Sequence, residues 1–301
     1  MKGLDQTSDF IKIINATDLS DMTKASYVAR IKQLESRFKK QIYLIIKDAK
    51  VSLDVLKAAY PTMSSLKMYL VLILSLFKHV PDLRNQLTDA HKIWSESFAE
   101  LDKAIDTHLK KNKPSARQAA GYVPYKDIIA KRDTLPKGSI ERLLIGMYTY
   151  IYPLRSDFNM VSIYKTMPNK PTANYILMGG SGCKLVLNEY KTSKRHGQFE
   201  KELPHALCDE INASLLKQPR AYLFVTIDGH PFDLPHSFTN FANRTFKKIF
   251  GKPLTISIIR HSFIMTLDFN KMTIEEKERI AAEMCHTAGE QDQYRLIFNS
   301  A

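Results

Sequence analysis

Cysteine is scarce in this sequence: Cys183, Cys208 and Cys285 are the only three in 301 residues. No two stand in a CxxC pair and the number is odd, which excludes a disulfide framework and gives no zinc pattern. His196, His205, His230 and His236 show no metal-ligand spacing either. No metal is expected. Long apolar runs are also missing. The strongest, Met68 to Phe77, is flanked by Lys67 and Lys78 and is far short of the roughly 20 residues a membrane span needs. It reads as a buried helix. Met1 to Phe10 is polar and lacks the apolar stretch of a signal peptide, so an intracellular protein with no membrane partner is expected. The one glycine cluster, Gly179-Gly180-Ser181-Gly182, is not followed by Gly-Lys-Ser/Thr and has no βαβ unit around it. It reads as a hairpin turn, and no small-molecule cofactor is expected.

Negative charge is the other shortage. Asp and Glu number 31 against 44 Lys and Arg, a formal net charge of +13, on a composition that is otherwise globular at 44% hydrophobic residues. Such an excess points to a polyanionic partner, because each phosphate contact releases counterions. Double-stranded DNA is the expected partner.

Two texture changes organise the chain. Apolar residues at helical spacing predict helices over Asp9–Ile14, Thr23–Lys39, Ser52–Tyr60, Ser64–His79 and Leu83–Lys110. Lys24, Arg30, Lys32, Arg37, Lys39 and Lys40 on the second of these could form a DNA-facing stripe. The run LKKNKPSA, residues 109–116, breaks the periodicity and reads as a linker. This divides the chain into a helical DNA-binding domain, residues 1–112, and a second domain, residues 113–301. The second starts with helices over Pro124–Asp133 and Ser139–Tyr152 and turns to strands at Tyr175–Met178, Lys184–Tyr190 and Phe199–Leu203. It returns to helices at His205–Leu216 and Ser237–Phe250. The expected fold class is mainly α with a small antiparallel β-sheet in the C-terminal domain.

The chemistry-bearing residues come late in the chain. Arg260-His261-Ser262-Phe263 is followed by His286 and then by Tyr294, in the run MCHTAGEQDQY. A tyrosine phenol can attack a phosphodiester only where basic groups neutralise the phosphate and the leaving oxygen receives a proton. Upstream stand Arg155 and Asp157 in PLRSDFNMVSI, and Lys191 and Thr192 in NEYKTSKRHG. Two arginine forks can clamp the non-bridging oxygens of one phosphate where a lysine offers a point charge. A lysine in a cationic site is suited to protonate the leaving oxygen.

In this order and context the residues resemble the tyrosine recombinase, or phage-type integrase, family, and the resemblance covers most of the second domain. It implies a two-domain clamp on DNA and a helical core-binding first domain of SAM-like type. Strand exchange would run through a 3′-phosphotyrosyl intermediate, with neither ATP nor metal. The roles it implies are Tyr294 as nucleophile, Arg155 and Arg260 as phosphate clamp and Lys191 as general acid. His286 would donate a hydrogen bond to the phosphate, and Asp157 would orient the first arginine. His261 takes a structural part. Tyr190 reads as a strand packing residue, and Lys194 and Arg195, just beyond Lys191, are expected DNA contacts.

Two departures from the family pattern matter. Ser257 stands where a histidine, or a lysine in type IB topoisomerases, usually lies three residues before the second arginine. A hydroxyl can hydrogen-bond a phosphate but cannot shuttle protons near neutral pH. Seven residues follow Tyr294, too few for the long C-terminal helix that many relatives exchange between subunits. A free monomer is therefore expected, with dimers or tetramers forming on DNA. The leading expectation is a site-specific recombinase that integrates a viral or mobile-element genome. A type IB topoisomerase and a catalytically weak, recombinase-derived DNA-binding protein are the alternatives.

Overall fold

The computed structural model describes residues 7–180, 182–287 and 289. The chain divides into two compact units, Met1–Lys111 and Asn112–Ala301.

The described part of the first unit is helical throughout: α1 (Thr7–Ala16), α2 (Asp21–Phe38), α3 (Ile42–Lys47), α4 (Ala49–Ala59), α5 (Met63–His79), α6 (Leu83–Gln86) and α7 (Thr88–Lys110). Ser20 caps α2 by accepting from the Thr23 N–H, and Thr62 caps α5 by accepting from Ser65. The apolar run noted above is α5, which packs against α1, α2 and α7 and buries Leu66, Leu70, Ile73 and Leu76. Trp94 of α7 is fully buried, and its indole N–H donates to the Ile46 carbonyl at 3.0 Å. The helix expected over Leu83–Lys110 is broken at Leu87, whose φ of −126° and ψ of 47° end α6 and start α7.

The second unit combines α8 (Ala116–Gly121), α9 (Tyr125–Thr134) and α10 (Ile140–Gly146) with strands β1 (Ser162–Tyr164), β2 (Asn174–Gly179), β3 (Gly182–Leu187) and β4 (Phe199–Leu203). Then follow α11 (Ser193–His196, between β3 and β4), α12 (His205–Lys217), α13 (Pro235–Phe250), α14 (Ile256–Ile264) and α15 (Ile274–Glu283). The sheet order is β1-β2-β3-β4. β2, β3 and β4 are antiparallel, but β1 runs parallel to β2, so the sheet is mixed rather than purely antiparallel. Cys183, Leu185 and Leu187 of β3 face inward. Lys184 between them faces out and pairs with Glu200 of β4. This face joins α10, α12 and α13 in one core with Leu144, Leu207, Ile211 and Phe246.

Gly121 lets α8 approach the start of α14. A Cβ there would lie 2.5 Å from the Pro253 carbonyl oxygen and 2.6 Å from Ile258 Cδ1. Close contact at this point sets α8 against the helix that carries Arg260.

Candidate active site

α14 starts at Thr255, whose hydroxyl accepts from the Ile258 N–H at 3.2 Å, and its residues from Ile258 to Ile264 are all buried. Arg260 is thereby drawn inside and is only 1% exposed. Burying a guanidinium is costly unless its N–H groups are satisfied. Nη1 donates to the carbonyls of Pro153 (2.6 Å) and Met284 (3.3 Å), and Nη2 donates to Nδ1 of His286 (2.9 Å). Arginine can only donate, so Nδ1 of His286 is the acceptor and the ring proton sits on Nε2. Burial, followed by the charges of Arg260 and Arg155, lowers the His286 pKa to about 3. The ring is neutral at physiological pH, with an N–H donor on the side away from Arg260.

His286 reaches this place through the way α15 ends. A capping box, Thr273 with Glu276, opens the helix. At the other end Cys285 takes a left-handed φ of 54°, its N–H bonds the Ala282 carbonyl, and the His286 N–H reaches back to Ala281. These paired bonds are a Schellman closure, with cysteine in the position usually taken by glycine. The closure fixes the direction of the Cys285 carbonyl. Two donors converge on it: Arg155 Nη1 at 2.5 Å and Thr192 Oγ1 at 3.0 Å.

Asp157 is buried beside them. Burial raises its pKa, opposed by the nearby backbone N–H groups of Lys191 and Arg155 and by the charges of Arg155 and Arg260. Its second carboxylate oxygen has no hydrogen-bond partner among the described residues. The charge of Arg155 acts on Asp157, the carboxylate expected to orient it, and the Arg155 guanidinium donates to the Cys285 carbonyl.

The structure thus brings Arg155, Asp157, Arg260, His286 and the Lys191-Thr192 turn together. Lys191 itself is exposed, as are Lys194 and Arg195 on α11. Ser257, one turn before Arg260, is exposed where Arg260 is buried. It lines an open groove of about 330 Å³ with Arg117, Gln118, Asn243 and Thr255. Tyr294 lies outside the described residues. Tyr190 falls beyond the end of β3 rather than within a strand. The Asn174 side chain takes over the backbone of Asn188 and Glu189, and the Tyr190 hydroxyl donates to Gly197 at 2.9 Å. His261 is buried, and its Nε2 accepts from the Gln118 amide at 3.2 Å. The α8 capping box turns that amide toward it.

A scan of protein-family models finds no match to this chain, and a search of curated proteins finds none. Among solved structures the chain is similar to one titled "Crystal structure of XerA recombinase". That match has 14% identity, covers 97% of this chain and 93% of that one, and has a TM-score of 0.38.

The predicted stripe on α2 separates into two faces. Lys24 lines one groove with Asp21, Val28 and Lys32, while Arg30 lines another with Tyr27, Lys67 and Met68 and donates to Ser26 and Met68. Arg37 lies over the Tyr60 ring at 5.2 Å, and Lys40 pairs with Asp48. A groove of about 380 Å³ in the second unit escaped the sequence reading. Arg117, Asn240, Asn243, Arg244 and Lys247 line it, with Thr255. Its signal was present, because residues 240, 243, 244 and 247 share one face of α13 at helical spacing. Among the described residues no group of three or more His, Cys, Asp or Glu side chains could hold a metal ion, and no helix is long and apolar enough to cross a membrane.

Proposed function

We propose that this chain breaks and rejoins double-stranded DNA by tyrosine recombinase chemistry. The observation that carries the reading is the convergence of Arg155, Arg260, His286 and the Lys191-Thr192 turn, from four separate segments, around the closure at Cys285. In this reading a phosphate enters against the arginine pair and the Nε2–H of His286, donors suited to charge building on its oxygens. The Tyr294 oxygen bonds to phosphorus as the bond to the 5′-oxygen breaks. Lys191 protonates that oxygen, and the phenol's proton passes to water. The bond energy stays in the 3′-phosphotyrosyl linkage for rejoining. The +13 charge supports loading onto DNA, where two or four copies would meet, and the setting we propose is intracellular integration of viral or mobile-element DNA.

The test is Tyr294→Phe on nicked suicide duplexes, run on denaturing and native gels. The variant should lose the covalent adduct and keep duplex binding. An adduct that persists rejects Tyr294 as the nucleophile. One observation favours a second reading, a recombinase-derived DNA-binding protein: Arg260 is buried on backbone carbonyls. Duplex binding by the unmutated chain with no adduct would decide for it. Relaxation of a supercoiled plasmid lacking any special site would decide for a topoisomerase.

A further inference from the structure

Lys191 is exposed, yet the turn that bears it is fastened on both sides. Its own backbone N–H lies near the buried Asp157 carboxylate and favours that group's charged form. The hydroxyl of the next residue, Thr192, donates to the Cys285 carbonyl at 3.0 Å. Behind them Tyr190 Oη donates to the Gly197 carbonyl at 2.9 Å, and the Thr192 carbonyl accepts from the N–H groups of Arg195 and His196. The Thr192 bond differs from the others in what it joins. A carbonyl oxygen offers two lone pairs, and the donors at Cys285 are Thr192 and Arg155. The direction of that carbonyl is set by the left-handed Cys285 and the closure that places His286. One oxygen therefore ties the lysine turn, the first arginine and the histidine turn to a common reference.

We propose that Thr192 is a positioning residue for Lys191, its hydroxyl registering the lysine turn against Arg155 and His286 through the Cys285 carbonyl. This rests on the strand-breaking function proposed above. Without the hydroxyl the lysine keeps its charge but loses its register to the phosphate. Proton delivery to the leaving 5′-oxygen then fails, while charge stabilisation by Arg155 and Arg260 remains. A lost lysine position is chemically distinguishable from a damaged pocket, because a 5′-sulfur leaves as a thiolate and needs no proton.

The experiment uses the full chain and a pool of nicked suicide duplexes randomised across the cleavage window, made with either a 5′-bridging oxygen or a 5′-bridging sulfur. Thr192→Val, close to threonine in shape, should cut adduct formation on the oxygen pool by about 10²-fold, the lower end of what positioned proton transfer contributes. It should approach the unmutated rate on the sulfur pool, as Lys191→Ala should, and Thr192→Ser should behave as the unmutated chain on both. Native-gel binding should not change. An equal defect on both pools, or none on either, overturns the proposal, as does a Ser variant as impaired as Val. If the unmutated chain forms no adduct on either pool, the strand-breaking function falls and this proposal with it. An adduct from the unmutated chain with no Val effect removes this proposal alone.

Discussion

The helical unit and the mixed unit bury their side chains by different rules. In the described residues of the first, no charged side chain is buried, and the core is a continuous set of aliphatic and aromatic groups from Phe10 to Trp94. In the second, Arg132, Asp157, Glu210, Arg260 and His286 are all buried. Interior charge costs free energy unless every donor and acceptor is met, and it survives where geometry is needed that apolar packing cannot give. The second unit does this in two places. At one, Arg142 ties α10 to α12 by donating to Glu210 at 2.7 Å, and it also meets the carbonyls of Arg132, Asp133 and Leu135. That arrangement is structural. At the other, Arg260 and His286 occupy the junction that Arg155 and Thr192 also reach. The apolar unit should therefore lose stability alone when cut into, whereas the junction should lose stability and chemistry together.

The largest effect that would break this contrast is at Arg260. Arg260→Ala should lower adduct formation at least about 10²-fold, the scale for losing one preorganised donor. It should also destabilise the fold, because Pro153 O, Met284 O and Nδ1 of His286 lose their donor and each buried acceptor left unpaired costs about 1–3 kcal/mol. Urea unfolding beside the adduct assay checks both. A variant that loses cleavage with an unchanged unfolding midpoint would show that Arg260 has no structural share.

Leu70→Ala should show the opposite pattern. Leu70 is 1% exposed in the centre of α5, and truncation there should cost about 2–5 kcal/mol. Trp94, buried in the same core and the only tryptophan in the chain, reports the loss by fluorescence. Adduct formed per bound complex should not change. A loss of cleavage equal to that of Arg260→Ala would mean that the apolar unit takes part in the chemistry and that the contrast is false.

Much of the architecture was legible where a short pattern carried it alone. The hairpin of β2 and β3 follows from the glycine cluster between two short strand-like runs, and α5 from its apolar run. Other elements left too little signal. α3 has six residues, and β1 has three and pairs with a strand ten residues away, so periodicity had too few residues to act on. The break at Leu87 carries neither glycine nor proline. The start of α8 lies inside the linker expected over residues 109–116, yet Ser115 and Gln118 fit the S-x-x-Q capping signature. At the candidate site the side-chain types were legible in order, and the structure brings Arg155, Arg260 and His286 together. The junction itself was not legible. It is a backbone carbonyl, aimed by a cysteine in a conformation that sequence assigns to glycine, and no side-chain pattern encodes it.

The smallest effect, and the one that sharpens the comparison most, is the response to acid. His286 has a folded pKa of about 3 against an ordinary 6.5, so below 6.5 the unfolded chain binds a proton that the folded chain refuses. Stability from this group is present above pH 6.5 and is lost as pH falls toward 3, with a slope of at most about 1.4 kcal/mol per pH unit. Asp157 acts in the opposite direction. Its folded pKa is raised, so the folded chain takes up a proton before the unfolded chain does, and stability is regained as pH falls through that raised value. The decline should begin near pH 6.5 and flatten at lower pH as Asp157 protonates. Asp157→Asn should steepen it, and His286→Asn, whose amide oxygen can still accept from Arg260, should remove its onset. Arg260 and Arg155, whose charges help to lower the His286 pKa, both belong to the second unit. Urea unfolding at about pH 7 and about pH 5.5 should therefore show circular dichroism losing midpoint while Trp94 fluorescence holds. Equal shifts in the two signals, or an unchanged onset in His286→Asn, would place the acid sensitivity somewhere other than this junction.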